Sequence, residues 1–153
     1  MKIFVDADAC PKEIKQFIFD VSRRTKIKSA FVSNKPIKVP LSPHIETIVV
    51  TADNDAADNE IVKLAKEKDL CVTSDIPLAS FLIEKECFVL SPFGELFTKE
   101  NIKAKLNTRD FMDSLRGSGI NPKGSPPFSV KNKHLFSNNF DKIIVRYLNS
   151  LKK

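Results

Sequence analysis

Short apolar runs alternate with amphipathic stretches along the first 90 residues of the chain. The apolar runs end at polar residues, as expected for the buried strands of a parallel sheet, and they predict strands at residues 2–6, 29–33, 45–51, 70–73 and 87–90. The stretches between them repeat apolar residues at helical spacing and predict helices beginning near Pro11 and at residues 58–68 and 77–85. Residues 34–44 contain three prolines and are predicted to be irregular.

This alternation of strand and helix predicts an α/β fold, a three-layer αβα arrangement with a central, mainly parallel sheet. The pattern becomes less regular after Pro92. It predicts extra C-terminal helices at residues 100–106, 109–115 and 132–151, separated by a loop rich in Gly, Ser and Pro at residues 117–128. With no internal repeat and no long linker, residues 1–153 are expected to form a single domain whose part from about residue 92 is more helical.

Composition narrows the class of protein. The chain has 153 residues, which suits one domain with a sizeable core, and no apolar run approaches the length of a membrane span. The N-terminal segment lacks the apolar region of a secretory signal, so we expect a cytoplasmic protein. The three cysteines lack metal-ligand spacing and are expected to be reduced. The net charge of +6 suits a polyanionic partner, but solvated surface lysines explain it equally well.

Aspartates follow the predicted strands at the positions where ligands bind in open parallel sheets. Asp6 ends the first strand, and Asp8 follows two residues later, so both carboxylates point to one side if the chain stays extended. Asp75 follows the strand at residues 70–73. Asp58 begins the helix that leads into that strand, and its spacing from Ile61 places it on the inward face of the helix.

These four aspartates, Asp6, Asp8, Asp58 and Asp75, form the predicted catalytic and metal-binding set. Carboxylates gathered in one crevice repel each other, and hard cations such as Mg²⁺ or Mn²⁺ prefer carboxylate and water ligands. Such an ion can polarise a phosphoryl oxygen or activate a water molecule. Local alternatives exist: Asp75 can cap the next helix, Asp58 can belong to a capping arrangement, and Asp55 is expected to be a helix cap rather than a ligand.

Other residues have weaker functional interpretations. Ser74 can orient a substrate or cap the following helix. Three basic residues near the flexible C-terminal segment are candidates for phosphate contacts, although isolated basic residues are usually solvated: Arg109, Arg116 and Lys123. Cys10 is expected to pack at a helix start rather than act as a nucleophile. Phe128, in its Pro-rich loop, is a candidate platform for stacking a nucleobase.

Two resemblances support this interpretation. Residues 58–78, DNEIVKLAKEKDLCVTSDIPL, resemble the PIN-like nuclease pattern of an aspartate at a helix start, a strand, and Thr-Ser-Asp at its end. Across nearly the whole chain, the sequence resembles the bacterial YaiI/YqxD family through VDADACP at 5–11, ADNEIV at 57–62, TSDIPLA at 73–79 and RDFMDSLRGSGI at 109–120. The PIN-like resemblance implies metal-dependent phosphodiester hydrolysis, with Asp6, Asp58 and Asp75 at its acidic positions, whereas Asp8 is placed by the YaiI/YqxD motif.

The leading hypothesis is therefore a Mg²⁺- or Mn²⁺-dependent nuclease with nucleic acid as its partner, RNA rather than DNA by family analogy alone. An apolar strand ending in Asp-x-Asp also resembles a haloacid-dehalogenase-type phosphatase, in which Asp6 is the nucleophile and Asp8 the acid. No later lysine and paired-acid motif supports that second enzyme. A third hypothesis is a module that binds nucleic acid without cleaving it.

Overall fold

The computed structural model describes residues 1–53, 55–117, 119 and 127–152, apart from the side chain of Arg116. In this part the chain forms six strands and five α-helices. The strands are β1 (Ile3–Asp6), β2 (Ser29–Ser33), β3 (Ile45–Val49), β4 (Leu70–Val72), β5 (Phe88–Leu90) and β6 (Leu96–Phe97). The helices are α1 (Lys12–Thr25), α2 (Ala56–Leu64), α3 (Ile76–Glu84), α4 (Lys99–Gly117) and α5 (Val130–Ser150).

The strands make one sheet in the order β3-β2-β1-β4-β5-β6. All neighbouring pairs are parallel except β5 with β6, which is antiparallel. The chain winds outward from β1 in one direction through β2 and β3, and in the other direction through β4 and β5. The reversal between β1 and β4 is a topological switch point, where the carboxyl ends of adjacent strands leave a crevice open.

Side chains that alternate along the strands separate the core into two layers. Ile3 and Val5 of β1 face a cluster that includes residues of α1 and α5, whereas Phe4 faces a cluster with residues of α2, α3 and α4. Both clusters contain fully buried residues, so the sheet is covered on both faces. The architecture is the three-layer αβα arrangement that the sequence pattern predicts.

The C-terminal third differs in detail from the prediction. Instead of two helices, one continuous helix, α4, covers both predicted segments. The hydroxyl of Thr108 donates to the Ala104 carbonyl oxygen at 3.0 Å, so this polar residue is accommodated without a break. Strand β6 was not predicted, since two residues carry no periodicity. Helix α5 begins earlier than expected, after a capping box in which the side chains of Ser129 and Asn132 bond each other's backbone N–H.

The described helices include none that is both long enough and apolar enough to cross a membrane.

The turn between β5 and β6 depends on a glycine packed against α5. Gly94 has φ +104°, and its carbonyl oxygen accepts a hydrogen bond from Asn139 Nδ2 at 2.7 Å. A Cβ at this position would lie 2.7 Å from the Leu135 Cβ and 2.7 Å from the backbone nitrogen of Phe136. Both the backbone conformation and the close approach of α5 therefore require glycine here.

We predict that Gly94→Ala lowers the free energy of unfolding by about 2–5 kcal/mol, from backbone strain and overpacking together. Gly117→Ala is the matched control, because a Cβ at Gly117 meets nothing within 4 Å. Urea denaturation of both variants checks this prediction. Equal stability of the two variants would contradict the packing of the turn on α5.

Candidate acidic centre at the sheet switch point

Asp6 and Thr73 face each other across the switch point. Val5 of β1 is paired with Val72 of β4, so the next residue of each strand, Asp6 and Thr73, lies at the same level of the sheet. The alternation of side chains turns both toward the face that α2 and α3 cover. The Thr73 hydroxyl donates a hydrogen bond to Asp6 Oδ2 at 3.0 Å. This bond links the ends of the two strands on either side of the crevice.

Thr73 also positions Asp75. The backbone N–H of Asp75 donates to Thr73 Oγ1 at 3.1 Å, and Asp75 Oδ1 accepts from the backbone N–H of Leu78 at 2.9 Å. Asp75 is therefore the N-cap of α3, and Pro77 lies in the first turn of that helix. The capping alternative for Asp75 is confirmed. Only one carboxylate oxygen makes this bond.

Asp58 reaches the same crevice from α2. It lies in the first turn of that helix and forms a side-chain hydrogen bond with Asp75. The pKa of Asp58 is raised to about 7. Burial is the largest cause, and the charges of Asp75 and Asp6, the hydrogen bond to Asp75 and the charge of Asp55 also contribute. A hydrogen bond between two carboxyl groups needs a proton, and at neutral pH the Asp58 carboxyl supplies it for a large fraction of the time.

The pKa of Asp6 is also raised. Burial is again the largest cause, the hydrogen bond from Thr73 opposes it, and the charges of Asp75 and Asp8 add to it. The charges of Asp6 and Asp75 act on Asp58, and the charge of Asp75 acts on Asp6, so the three carboxyl groups lie close together. The sequence prediction that they meet at one edge of the sheet is confirmed.

Asp8 lies at the rim of this group. The chain after Asp6 forms a 3-10 turn over Ala7–Ala9 rather than continuing in extended form, so the extended geometry assumed from the sequence is wrong. Asp8 Oδ2 accepts from the backbone N–H of Asn34 at 2.9 Å, which ties the turn to the end of β2. Asp8 and Asp58 nevertheless line one polar cavity of about 200 Å³, together with Asn34, Thr51, Asp53 and Asp55.

The expected capping role of Asp55 was wrong, and the capping alternative for Ser74 is excluded. Asp55 occupies the N-cap position of α2 but its side chain makes no capping hydrogen bond, because the residue is in the left-handed region at φ 68°. Its carboxylate instead contributes to the repulsion felt by Asp58. Ser74 does not cap α3, since the neighbouring Asp75 does so. The side chain of Ser74 is exposed beside Asp75.

The basic residues proposed to contact phosphate do not lie in the acidic centre itself. Arg109 lies on α4 and shares a groove with Ile76, the residue after Asp75. Its Nη1 is 3.4 Å from Asp113 Oδ2 and 3.6 Å from Asp110 Oδ1 on the same helix. Arg116 lies in the last turn of α4, with its side chain outside the described part, and Lys123 lies outside the described residues.

Two other sequence candidates have structural roles. Cys10 is buried in the core, and burial raises the pKa of its thiol to about 12, so the packing interpretation is confirmed. The ring of Phe128 packs edge-on against Phe93, with centroids 5.8 Å apart, and joins the edge of the core cluster. That contact makes Phe128 unsuitable as an open stacking platform.

The donor atoms at the centre are carboxylate and hydroxyl oxygens, the ligand type that Mg²⁺ and Mn²⁺ prefer. Within the described residues, however, no three His, Cys, Asp or Glu side chains are arranged so that they hold a metal ion. The geometry explains this: Asp8 bonds Asn34, Asp75 bonds Leu78, and Asp58 is turned toward Asp75. The donor chemistry fits a hard cation, and in this structure the Asp58 and Asp75 side chains bond each other.

Sequence reasoning missed Thr73 as a site residue. It appears in the Thr-Ser-Asp motif, but its role follows only from the pairing of β1 with β4, which places its hydroxyl opposite Asp6. The alternation of side chains along β4 does predict the sheet face on which Thr73 lies, because Thr73 shares that face with Cys71 and not with Val72. The contribution of Asn34 has no such signal, since it uses only its backbone N–H.

The fold and the site together define an αβα protein with an acidic centre at the carboxyl edge of its sheet. The family model described as "Uncharacterized BCR, YaiI/YqxD family" matches residues 4–146, and the chain belongs to that family. It is 50% identical over 146 residues to a UPF0178 protein of Thioalkalivibrio sulfidiphilus, covering 95% of this chain and 99% of the relative. It is 48% identical over 147 residues to a UPF0178 protein of Hydrogenovibrio crunogenus, covering 96% and 97%. No solved structure gives a significant match.

We predict that the metal-free protein loses stability as pH rises from about 4 to about 7. The folded-state pKa of Asp58 lies above its ordinary value of 3.8, so the folded state binds more protons than the unfolded state in this range, and the free energy of unfolding falls with pH. Asp58→Asn removes this titration and is expected to flatten the dependence. Asp141→Asn, on the exposed side of α5, is the control. Melting temperatures in EDTA between pH 4 and 8 test the prediction, and equal slopes for all three proteins would contradict it.

We predict that Thr73→Val destabilises the protein by about 1–3 kcal/mol relative to Thr73→Ser, because only serine keeps a hydroxyl that bonds both Asp6 and Asp75. The valine variant should also raise the pKa of Asp6 further, since the Thr73 hydrogen bond lowers that pKa. Urea denaturation and NMR titration of the Asp6 carboxyl carbon measure the two effects. Identical values in the two variants would show that the hydroxyl is dispensable.

Proposed function

We propose that this protein is a divalent-metal-dependent nuclease that hydrolyses phosphodiester bonds in RNA. The observation that carries the proposal is the hydrogen-bonded pair of Asp58 and Asp75 beside Asp6, in which the pKa of Asp58 is raised to about 7. The PIN-like resemblance assigns acidic roles to these three positions. Asp6, Asp58 and Asp75 are the proposed ligands of Mg²⁺ or Mn²⁺, and Asp8 is the proposed fourth acidic residue at the rim.

Electrostatic cost supports a cation at this centre. Carboxylates held close together in a partly buried crevice destabilise the folded state when they ionise. Among the described residues, the groups that shift the pKa values of Asp6 and Asp58 include no positively charged side chain. A divalent cation would offset the repulsion that the protein leaves uncompensated. Burial of acidic groups without a protein counter-ion is typical of functional sites, although structural networks also perturb pKa values.

When bound, the metal ion supplies Lewis-acid polarisation of a phosphoryl oxygen and lowers the pKa of a coordinated water. The chain's own residues orient the reaction. Thr73 holds Asp6 toward the crevice, and the Leu78 N–H holds Asp75 through its Oδ1. Asp58 and Asp75 would hold the cation together once Asp58 has lost its proton to solvent. Proposed activity therefore increases as pH rises toward and above 7, where Asp58 is ionised.

The polar groups around the centre are suited to holding a phosphate. Ser74 is exposed beside Asp75 and presents a hydroxyl donor. Arg109 lies on the groove that begins at Ile76, and a guanidinium has the donor geometry for phosphate oxygens. The phosphate contacts proposed for Arg116 and Lys123 rest on the sequence alone. The preference for RNA rests on family analogy, and an RNA substrate would place the activity in the cytoplasm.

The phosphatase alternative is less well supported. It requires Asp6 to attack as an ionised nucleophile and Asp8 to act as an acid, yet burial and neighbouring carboxylates raise the pKa of Asp6. Asp8 Oδ2 already accepts the N–H of Asn34. A covalent aspartyl-phosphate on Asp6 would be the product that distinguishes this enzyme from a nuclease.

We predict that purified protein cuts labelled RNA with Mn²⁺ or Mg²⁺ but not with EDTA, and that Asp75→Asn reduces cutting by about 100-fold or more, as for loss of a preorganised electrostatic group. Asparagine is as good an N-cap as aspartate, so this variant keeps α3 while removing a charge. The measurement is the single-turnover rate on single-stranded and structured RNA and DNA.

Asp141→Asn, prepared identically, is the matched control and should cut like the wild type. Mn²⁺ at about 100 times its dissociation constant should also stabilise the wild type by roughly 2.7 kcal/mol and Asp75→Asn much less. Cutting that Asp75→Asn retains in full would assign the activity to another site or to a contaminant. RNA binding with neither cutting nor a metal-dependent shift would favour the non-catalytic module.

A further inference from the structure

A partly enclosed cavity of about 490 Å³ lies at the amino end of the sheet, away from the acidic centre. Met1 precedes β1, Lys68 precedes β4 and Phe88 begins β5, so the cavity meets the sheet where the strands begin. The other lining residues are Glu67 and, from the C-terminal half of α5, Ile143, Arg146, Tyr147 and Ser150. Cavities that hold small molecules have volumes of about 300–1,000 Å³, so this one is large enough for an organic ligand.

Much of the cavity wall is apolar. Ile143 is buried in the core cluster that includes residues of α1 and α5. Met1, Phe88 and Tyr147 pack against that cluster and remain partly exposed. An apolar group that entered the cavity would lose contact with water, and this burial would stabilise the complex.

The charged groups of the cavity are mainly cationic. Lys68 and Arg146 are exposed, and neither side chain forms an ion pair with any residue that the structure describes. The hydroxyl of Tyr147 likewise has no hydrogen-bond partner among those residues. Glu67 adds one negative charge to the lining, against the two positive charges. The cavity therefore complements an anion.

The backbone holds the two cations in place although they come from separate segments. Lys68 has φ 70° in the turn before β4, and its N–H donates to the Glu86 carbonyl oxygen at 3.0 Å. The N–H of Phe88 donates to the Asp69 carbonyl oxygen at 2.9 Å. Arg146 lies on α5, one face of which is buried against the sheet. The cavity is thus preformed, and binding does not have to order its backbone.

We propose that this cavity binds a small amphipathic anion, an organic molecule with an apolar body and one carboxylate or phosphate group. Arg146 and Lys68 hold the anionic group, because a guanidinium offers paired donors that match the oxygens of either anion. The apolar body lies against Phe88, Ile143 and Tyr147. This second site is separate from the acidic centre and does not depend on the proposed nuclease activity.

Nitrogen–proton NMR titrations test the site with ligands of equal chain length, each kept below its micelle-forming concentration: octanoate, octyl phosphate, octanol and octylamine. Backbone amide shifts should change at Lys68, Phe88 and Tyr147 and stay constant at Asp6 and Asp75. At least one anion should bind about tenfold or more tightly than octanol, the contribution of a charge-assisted hydrogen bond, and octylamine should bind more weakly than octanol. The tighter anion identifies the head group as carboxylate or phosphate.

Arg146→Gln should weaken binding of the preferred anion by about tenfold and leave octanol binding unchanged, because it removes the charge alone. Lys131→Gln is the matched control, with the same change of charge on an exposed residue of α5. It lies about four turns from Arg146, roughly 22 Å along the helix, and should bind both ligands like the parent. Asp75→Asn should also bind the anion like the parent.

No binding of either anion, equal affinity for octanoate and octylamine, or amide shifts centred on the acidic aspartates would each overturn the inference. So would an Arg146→Gln variant that loses no more anion affinity than Lys131→Gln. Unchanged octanol binding by Arg146→Gln would show that its cavity is intact. A protein that cuts RNA without binding the anion would reject this site and retain the proposed function, whereas anion binding without cutting would do the reverse.

Discussion

The hydrogen bond from Thr73 to Asp6 is the contact on which the acidic edge depends. A threonine hydroxyl has one proton, and here it points to Asp6 Oδ2, so the oxygen of the same hydroxyl accepts from the backbone of Asp75. The direction of both bonds is thereby fixed. One side chain sets the position of a carboxylate on β1 and of the residue that begins α3. Because the pairing of β1 with β4 ends at Val5 and Val72, the side-chain bond continues the link between the two strands by one residue.

The remaining carboxylates differ in how many hydrogen-bond donors the protein supplies to offset their negative charge. Asp75 has its N-cap bond to Leu78, an interaction worth about 1 kcal/mol, and Asp8 has a backbone N–H from Asn34. Among the described residues, Asp58 has neither kind of contact, and its side chain bonds another carboxyl group. It is accordingly the residue whose pKa rises to about 7. A cation that enters the crevice would compete first with the proton of Asp58, so metal affinity and pH are linked through this residue.

Periodicity was sufficient to predict the features that repeat along the chain. Five strands, the layered arrangement and the convergence of Asp6 and Asp75 follow from apolar runs that end in carboxylates, and Asp58 follows from its spacing to Ile61. Features set by contacts distant in sequence were not accessible in this way. The positive φ of Asp55, a residue whose side chain makes no capping bond, has no local signature. The role of Thr73 depends on pairing between strands 67 residues apart.

The continuity of α4 connects these observations. A break near Asn107, as the sequence suggested, would separate Arg109 from the groove that Ile76 and Ala104 line. The unbroken helix, with Thr108 bonded back to Ala104, keeps Arg109 on the groove that Ile76 and Ala104 line. The negative charges of the clustered carboxylates repel a phosphate group. Affinity for a nucleic acid must therefore come from groups outside the crevice. A guanidinium such as that of Arg109, on the groove that begins at Ile76, would supply such a group.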